Sequence, residues 1–216
     1  MARLDRQYCD ICSSVLPSFG YMRLADGSMC MDCNKKISPF LKGIKDLTVE
    51  DTKRHLKYRQ DNMKKLDEFK SAISFGYDKK IYIDPYMAAF VITPNRLEEI
   101  AVDNPDVISL HDVIETDTLI KEYKKEQFGK DEEGRRIRYF PPRINYYYDF
   151  ITTIRLRSEW FDEVSLSLNG KTVEGRDSIM YRRCNSMAKQ LKDTLMVDNN
   201  IFNRKMGSKS HHTFRL

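Results

Sequence analysis

The stretch Tyr8-Cys-Asp-Ile-Cys-Ser-Ser-Val-Leu-Pro-Ser-Phe-Gly-Tyr-Met-Arg-Leu-Ala-Asp-Gly-Ser-Met-Cys-Met-Asp-Cys33 carries two Cys-x-x-Cys knuckles with seventeen residues between them. That spacing reads as a metal site. A thioredoxin-type redox motif would use one knuckle inside a βαβ pattern, which is not visible here. Four thiolates hold zinc tetrahedrally at about 2.3 Å and leave no position for an activated water. The reading is therefore one structural Zn2+ per chain on Cys9, Cys12, Cys30 and Cys33, although iron fits the same cage. Between the knuckles, Tyr21-Met-Arg-Leu24 and Ala25-Asp-Gly27 predict a strand and a tight turn, because Asp-Gly tolerates positive φ. Asn34-Lys-Lys-Ile37 predicts a short helix. Knuckle, hairpin, knuckle and helix make a treble-clef-like module over residues 1–45. So small a unit would draw much of its folding energy from metal binding, on the order of 10 kcal/mol.

Working outward, residues 46–71 predict a linking helix. Thr48 is placed to cap it, and Glu50 and Asp51 suit the positive end of the helix dipole. Val49, Thr52, Leu56, Arg59, Met63, Leu66 and Phe69 follow three-and-four spacing, a thin stripe that favours packing on one domain over a coiled coil. His55 lies near that stripe with no paired ligand in the sequence and reads as structural.

Residues 72–200 alternate as antiparallel strands. Lys80-Ile-Tyr-Ile83 and residues 88–93 predict a hairpin across Asp84-Pro85, and Val107-Ile-Ser-Leu110 and residues 115–123 look extended. Residues 146–157 and 161–168 are aromatic and β-branched, with Asn169-Gly170 as a hairpin turn. Residues 178–197 place Met180, Cys184, Met187, Ala188, Leu191 and Leu195 on one helical face. The expected fold is α+β: a zinc module, a linking helix, and a strongly bent antiparallel sheet or barrel capped by a C-terminal helix. A basic polar tail, residues 201–216, completes the chain.

Several short motifs carry a resemblance. Cys9-Asp-Ile-Cys12, Cys30-Met-Asp-Cys33, Ile37-Ser-Pro-Phe40, Lys80-Ile-Tyr-Ile-Asp84, Asn104-Pro-Asp-Val-Ile-Ser109, Tyr148-Asp-Phe150 and Trp160-Phe-Asp-Glu163 stand before the final helix. With it they resemble an uncharacterised bacterial family whose members have a four-cysteine zinc domain followed by a PH-like domain. The resemblance implies a fold and no activity.

The net charge of +5 is concentrated at the end of the chain. Residues 203–216 hold four of the 37 basic residues and no acid, leaving 33 basic against 32 acidic elsewhere. Global charge therefore argues little for a polyanion partner. The denser local signal is residues 121–143, with eight basic and five acidic residues and Arg135, Arg136, Arg138 and Arg143 beside Tyr139 and Phe140. This reads as a long loop whose arginines are candidates to grip phosphate on nucleic acid or anionic lipid. Gly170-Lys171-Thr172 lacks the earlier glycine of a phosphate-binding loop, since Ser165 stands there. Cys184 reads as core rather than nucleophile, and His111 is not placed beside it by sequence. Tyr146, Tyr147 and Tyr148 alternate faces of a strand rather than form a stacking platform, and His211 and His212 fall in the tail.

No signal peptide or membrane-spanning apolar run is visible, so the expectation is a cytoplasmic protein with reduced thiols. No catalytic set is recognisable. The functional expectation is a non-enzymatic, zinc-stabilised binding or adaptor protein making protein contacts. Nucleic-acid binding through the zinc module and basic loop, or anionic-lipid binding through the PH-like domain, are the alternatives.

Overall fold

Short polar segments around the cysteines offer little apolar surface, so the N-terminal secondary structure is minimal. The structure, a computed structural model, describes residues 7–207. Strands β1 (Met22–Arg23) and β2 (Ser28–Met29) pair antiparallel, and Leu24 N–H bonds to Gly27 O at 2.8 Å to close the turn. Helix α1 (Met31–Asn34) starts within the second knuckle, three residues earlier than the sequence suggests. Cys30 caps it by accepting Cys33 N–H on sulfur, a role that a sequence pattern assigns more readily to Ser or Asp.

Helix α2 (Val49–Glu68) begins where expected, with a reciprocal capping box: Asp51 N–H donates to Thr48 Oγ1 at 3.0 Å and Thr48 N–H to Asp51 Oδ2 at 3.3 Å. Its inward face keeps Thr52, Arg59 and Leu66 of the expected stripe and adds His55 and Asn62 to them. Thr52, His55, Arg59, Asn62 and Leu66 are buried, while Met63 is 51% exposed. Those buried positions also step by three and four; His55 and Asn62 were outside the expected stripe because a hydrophobic count gives polar residues no inward preference.

Next comes a four-stranded antiparallel meander: β3 (Ile73–Gly76), β4 (Lys80–Asp84) and β5 (Ala89–Thr93), then α3 (Ile100–Asp103) and β6 (Ile108–Ser109), in the order β3-β4-β5-β6. The β4–β5 hairpin was legible; β3 is an additional strand. Long strands β7 (Val113–Glu126) and β10 (Ile144–Leu156) pair along nearly their whole length, and β8 (Phe128–Lys130) and β9 (Arg136–Arg138) form a small hairpin between them. The expected loop over residues 121–143 is therefore about half strand. Charged residues on both faces of an exposed ribbon leave no apolar alternation to read.

On the other side of β10 lie both β11 (Glu163–Ser167) and β12 (Val173–Glu174). Asn169-Gly170 is thus an interruption within one sheet edge and not a hairpin turn. The Asn169 side chain substitutes for the missing ladder: Phe150 N–H donates to its Oδ1 at 2.7 Å, and its Nδ2 donates to Asp149 Oδ1 at 2.9 Å and Lys171 O at 3.1 Å. Gly170 stands close to Asp78: a Cβ there would lie 2.8 Å from Asp78 Oδ1 and displace that carboxylate.

Helix α4 (Ile179–Gly207) buries Tyr181, Cys184, Ala188, Leu191 and Leu195 in one core with Phe75, Phe90, Phe150 and Ile154 from both sheets. Of the expected stripe, Met180 is 40% exposed and its place is taken by Tyr181. The helix continues to Gly207, past the expected end at residue 197, so the first part of the proposed tail is helical. His211 and His212 lie outside the described residues. No helix among the described residues is long and apolar enough to cross a membrane.

Candidate metal centre

The first knuckle is a tight turn in which Ser13 N–H returns to Cys9 O at 2.8 Å, and a Tyr8–Val15 bridge holds its base. Asp10 ties it to the hairpin: Ser28 N–H donates to Asp10 Oδ2 at 2.7 Å and Asp10 N–H to Ser28 O at 2.9 Å. The second knuckle enters from β2 and turns into α1. The result brings the four Sγ atoms of Cys9, Cys12, Cys30 and Cys33 within 4.8 Å of one another. Cys12 Sγ and Cys30 Sγ are 3.7 Å apart. Thiolates bound at about 2.3 Å to one tetrahedral zinc would stand about 3.8 Å apart, so the donor set fits that ion.

The surroundings suit negative sulfur. Cys30 N–H points at Cys9 Sγ at 3.2 Å and Cys33 N–H at Cys30 Sγ at 3.4 Å. Cys12, the one exposed ligand, lies 3.3 Å from Ser14 Oγ, and hydrogen bonding with Ser14 brings its thiol down to about 6. Burial, together with the neighbouring sulfurs, pushes Cys33 upward. Thiols this close cannot all ionise in one another's field, and a divalent cation among them supplies the missing compensation. Around the sulfurs, Leu16, Leu24, Met29, Ile37 and Leu41 form a small apolar core of their own.

Two connections fasten this module to α2. At the hairpin tip, Val49 N–H donates to Asp26 Oδ1 at 2.7 Å and Ala25 N–H to Leu47 O at 2.8 Å. Gly27 lets the hairpin approach α2 closely, since a Cβ would meet Val49 Cγ2 at 2.6 Å and Asp10 Oδ2 at 2.7 Å and those side chains would have to shift. The second connection is a buried polar joint that the sequence reading missed. Asp106, fully buried, accepts from Ser38 Oγ at 2.6 Å, Arg59 Nη1 at 2.7 Å and Tyr58 OH at 3.2 Å. Arg59 also donates to Lys36 O at 3.2 Å and to Asn104 O. Asn62 donates to Pro105 O and accepts Val107 N–H, at 2.8 and 2.7 Å.

His55 completes the joint. Its Nε2 accepts Ser38 N–H at 3.1 Å, which assigns the proton of the neutral ring to Nδ1. Burial, with Arg59 adding to it against Asp106, lowers its pKa to about 4, so the ring stays neutral. Nδ1 has no hydrogen-bond partner, and Trp160 stands edge-on to the ring at 4.7 Å. Ser38, His55 and Asp106 are the residue types of a nucleophilic triad in a different arrangement. The Ser38 hydroxyl donates to Asp106 and not to His55, and all three are buried, so no nucleophile–base pair results. The motifs Ile37-Ser-Pro-Phe40, Asn104-Pro-Asp-Val-Ile-Ser109 and Trp160-Phe-Asp-Glu163 all meet here, which was the available signal.

The four arginines do not converge. Arg135 pairs with Asp131 at 2.9 Å and also with Glu133, while Arg138 pairs with Glu126. Arg136 lies 3.6 Å over the Phe128 ring and Arg143 4.3 Å over Tyr139. By register, Phe128 and Arg136 share one face of the β8–β9 hairpin, whereas Tyr139 lies against Gly129 and Ile137 on the other. Cys184 sits in the main core, where burial raises its thiol, opposite to what a nucleophile requires. His111 is exposed in the turn Leu110–Asp112. Tyr148 is buried edge-on to Tyr181 at 4.9 Å, while Tyr146 is 40% exposed beneath Lys124.

Residues 7–55 match a family described as a domain of unknown function, DUF4428. The match takes in all four cysteines and the first part of α2, ending at His55. No curated protein and no solved structure matches the chain.

Proposed function

We propose that the chain is a non-enzymatic binding or adaptor protein of the cytoplasm, in which Cys9, Cys12, Cys30 and Cys33 hold one structural Zn2+. The observation that carries this reading is the closed donor set: four sulfurs within 4.8 Å supply every ligand a tetrahedral ion takes. Zinc so held stabilises and orients; it has no open position from which to activate water. Two knuckles, a hairpin and a helix starting on the second knuckle support a treble-clef module. A four-stranded meander, a second sheet centred on β10 and a terminal helix over both support a PH-like body. Because Arg135 and Arg138 are neutralised within the chain, a protein partner is favoured over nucleic acid or anionic lipid.

Elemental mass spectrometry on untagged protein tests the metal. One zinc per chain, lost in Cys9→Ser plus Cys33→Ser, is the expected result; a metal-free reduced protein, or a redox-active disulfide in place of the metal, would move thiol chemistry to the front. Binding to a nucleic acid that weakens steeply with salt would displace the protein-contact reading.

A further inference from the structure

Beyond Val113, strand β7 has a strand partner on one side, β10. β10 pairs with it over its 14 residues, and among the described residues no strand lies along its other edge. A row of N–H and C=O groups of that length is a template for another strand. α4 packs against β7, and Thr116 is buried. The outer face, Glu115, Asp117, Leu119, Lys121, Tyr123 and Lys125, is exposed, with Leu119 at 56% and beside Ile151 in register.

The sign pattern along that face is what selects an occupant. It runs acid, acid, Leu, Lys, Tyr, Lys from start to end, so an antiparallel copy lays its basic half over the acidic half. Centred on Leu119, such a pairing sets Asp117 against Lys121 of the partner subunit, twice by symmetry, and Leu119 against its own counterpart. Glu115 is already paired with Arg155 at 3.0 Å, while among the described residues Asp117 and Lys121 make no ion pair. Charges on an edge discourage foreign strands, and this arrangement favours its own.

We propose that β7 is a homodimerisation edge, joining two copies antiparallel about a two-fold axis at Leu119 and continuing the sheet across the pair. This stands independently of the metal reading and of any further partner. Sedimentation velocity on the full, metal-loaded chain tests it, with circular dichroism and metal content as folding controls. Wild type should sediment as a dimer. Asp117→Lys and Lys121→Asp, each placing like charges at two symmetric contacts, should each weaken self-association about tenfold or more, and the double variant should restore it. Leu119→Arg should give monomer. A wild type that stays monomeric up to about 100 µM would overturn the proposal. So would a dimer indifferent to Leu119→Arg, or single variants that the double exchange does not rescue.

Discussion

The module of residues 7–47 and the body of residues 73–196 reach a fixed structure by different routes. The body has one core of Phe, Ile, Val and Leu from two sheets and α4, and Phe90, Phe150, Ile154, Leu191 and Leu195 are fully buried in it. Apolar area removed from water stabilises such a core in proportion to its size. The module has only a handful of apolar residues around four sulfurs. Its topology is held by ligands, knuckle hydrogen bonds and Asp10.

The sharpest way to break that contrast is to remove the ligands. Cys9→Ser plus Cys33→Ser should abolish amide protection in residues 8–47 and leave β4, β5 and β10 protected, read by hydrogen–deuterium exchange. Apparent loss in the module is on the order of 10 kcal/mol. Uniform loss across both parts would mean that the body too depends on the metal.

Next in size is the joint between them. Arg59→Ala leaves Asp106 buried and uncompensated, and should cost about 3–5 kcal/mol in urea unfolding. It should also split a single transition into two.

A smaller effect distinguishes His55. Its folded value of about 4 lies below the 6.5 of an unhindered ring, so between those values the unfolded chain binds a proton that the folded chain refuses. Stability therefore falls as pH drops from about 6.5 to about 4 and levels below, a loss of up to about 3 kcal/mol. In His55→Gln, whose amide oxygen can still accept Ser38 N–H, that part of the slope should vanish. Comparing the two proteins cancels losses shared by the thiolates and by carboxylates such as Asp84. Burial opposes the charge of Asp84, but N–H groups of Met87, Lys70 and Tyr86 outweigh it and hold its carboxyl below the usual range.

The least effect belongs to the surface. Lys42 and Glu163 join the two parts at 2.8 Å, yet both are exposed, and Lys42→Ala should leave the unfolding midpoint unchanged within error.

What was legible in the sequence follows the same division. Metal ligands are close along the chain, so Cys9, Cys12, Cys30 and Cys33 announce themselves by spacing. Strands rich in apolar and β-branched residues announce themselves by composition, whether buried on both faces like β5 or on one like β10. The joint does neither: Ser38, His55, Arg59 and Asp106 are polar, buried and distant in sequence, and their meaning exists only once folded. The two-sided exposure of β7 beyond Lys121 hid a strand for the converse reason, having no apolar face to alternate. Asn169 misled because its side chain imitates backbone, which residue type alone does not show.

The joint also sets an order of events during synthesis. Arg59 and its counter-charge Asp106 are separated by 47 residues, and Ser38 and Asp106 by 68. As a chain emerges from its N-terminus, all four cysteines are available well before Asp106 exists. The metal module can close at once, but α2 has no acid with which to bury Arg59, and so must wait. Docking of α2 through Arg59 thereby follows the appearance of the segment between α3 and β6, which carries Asp106.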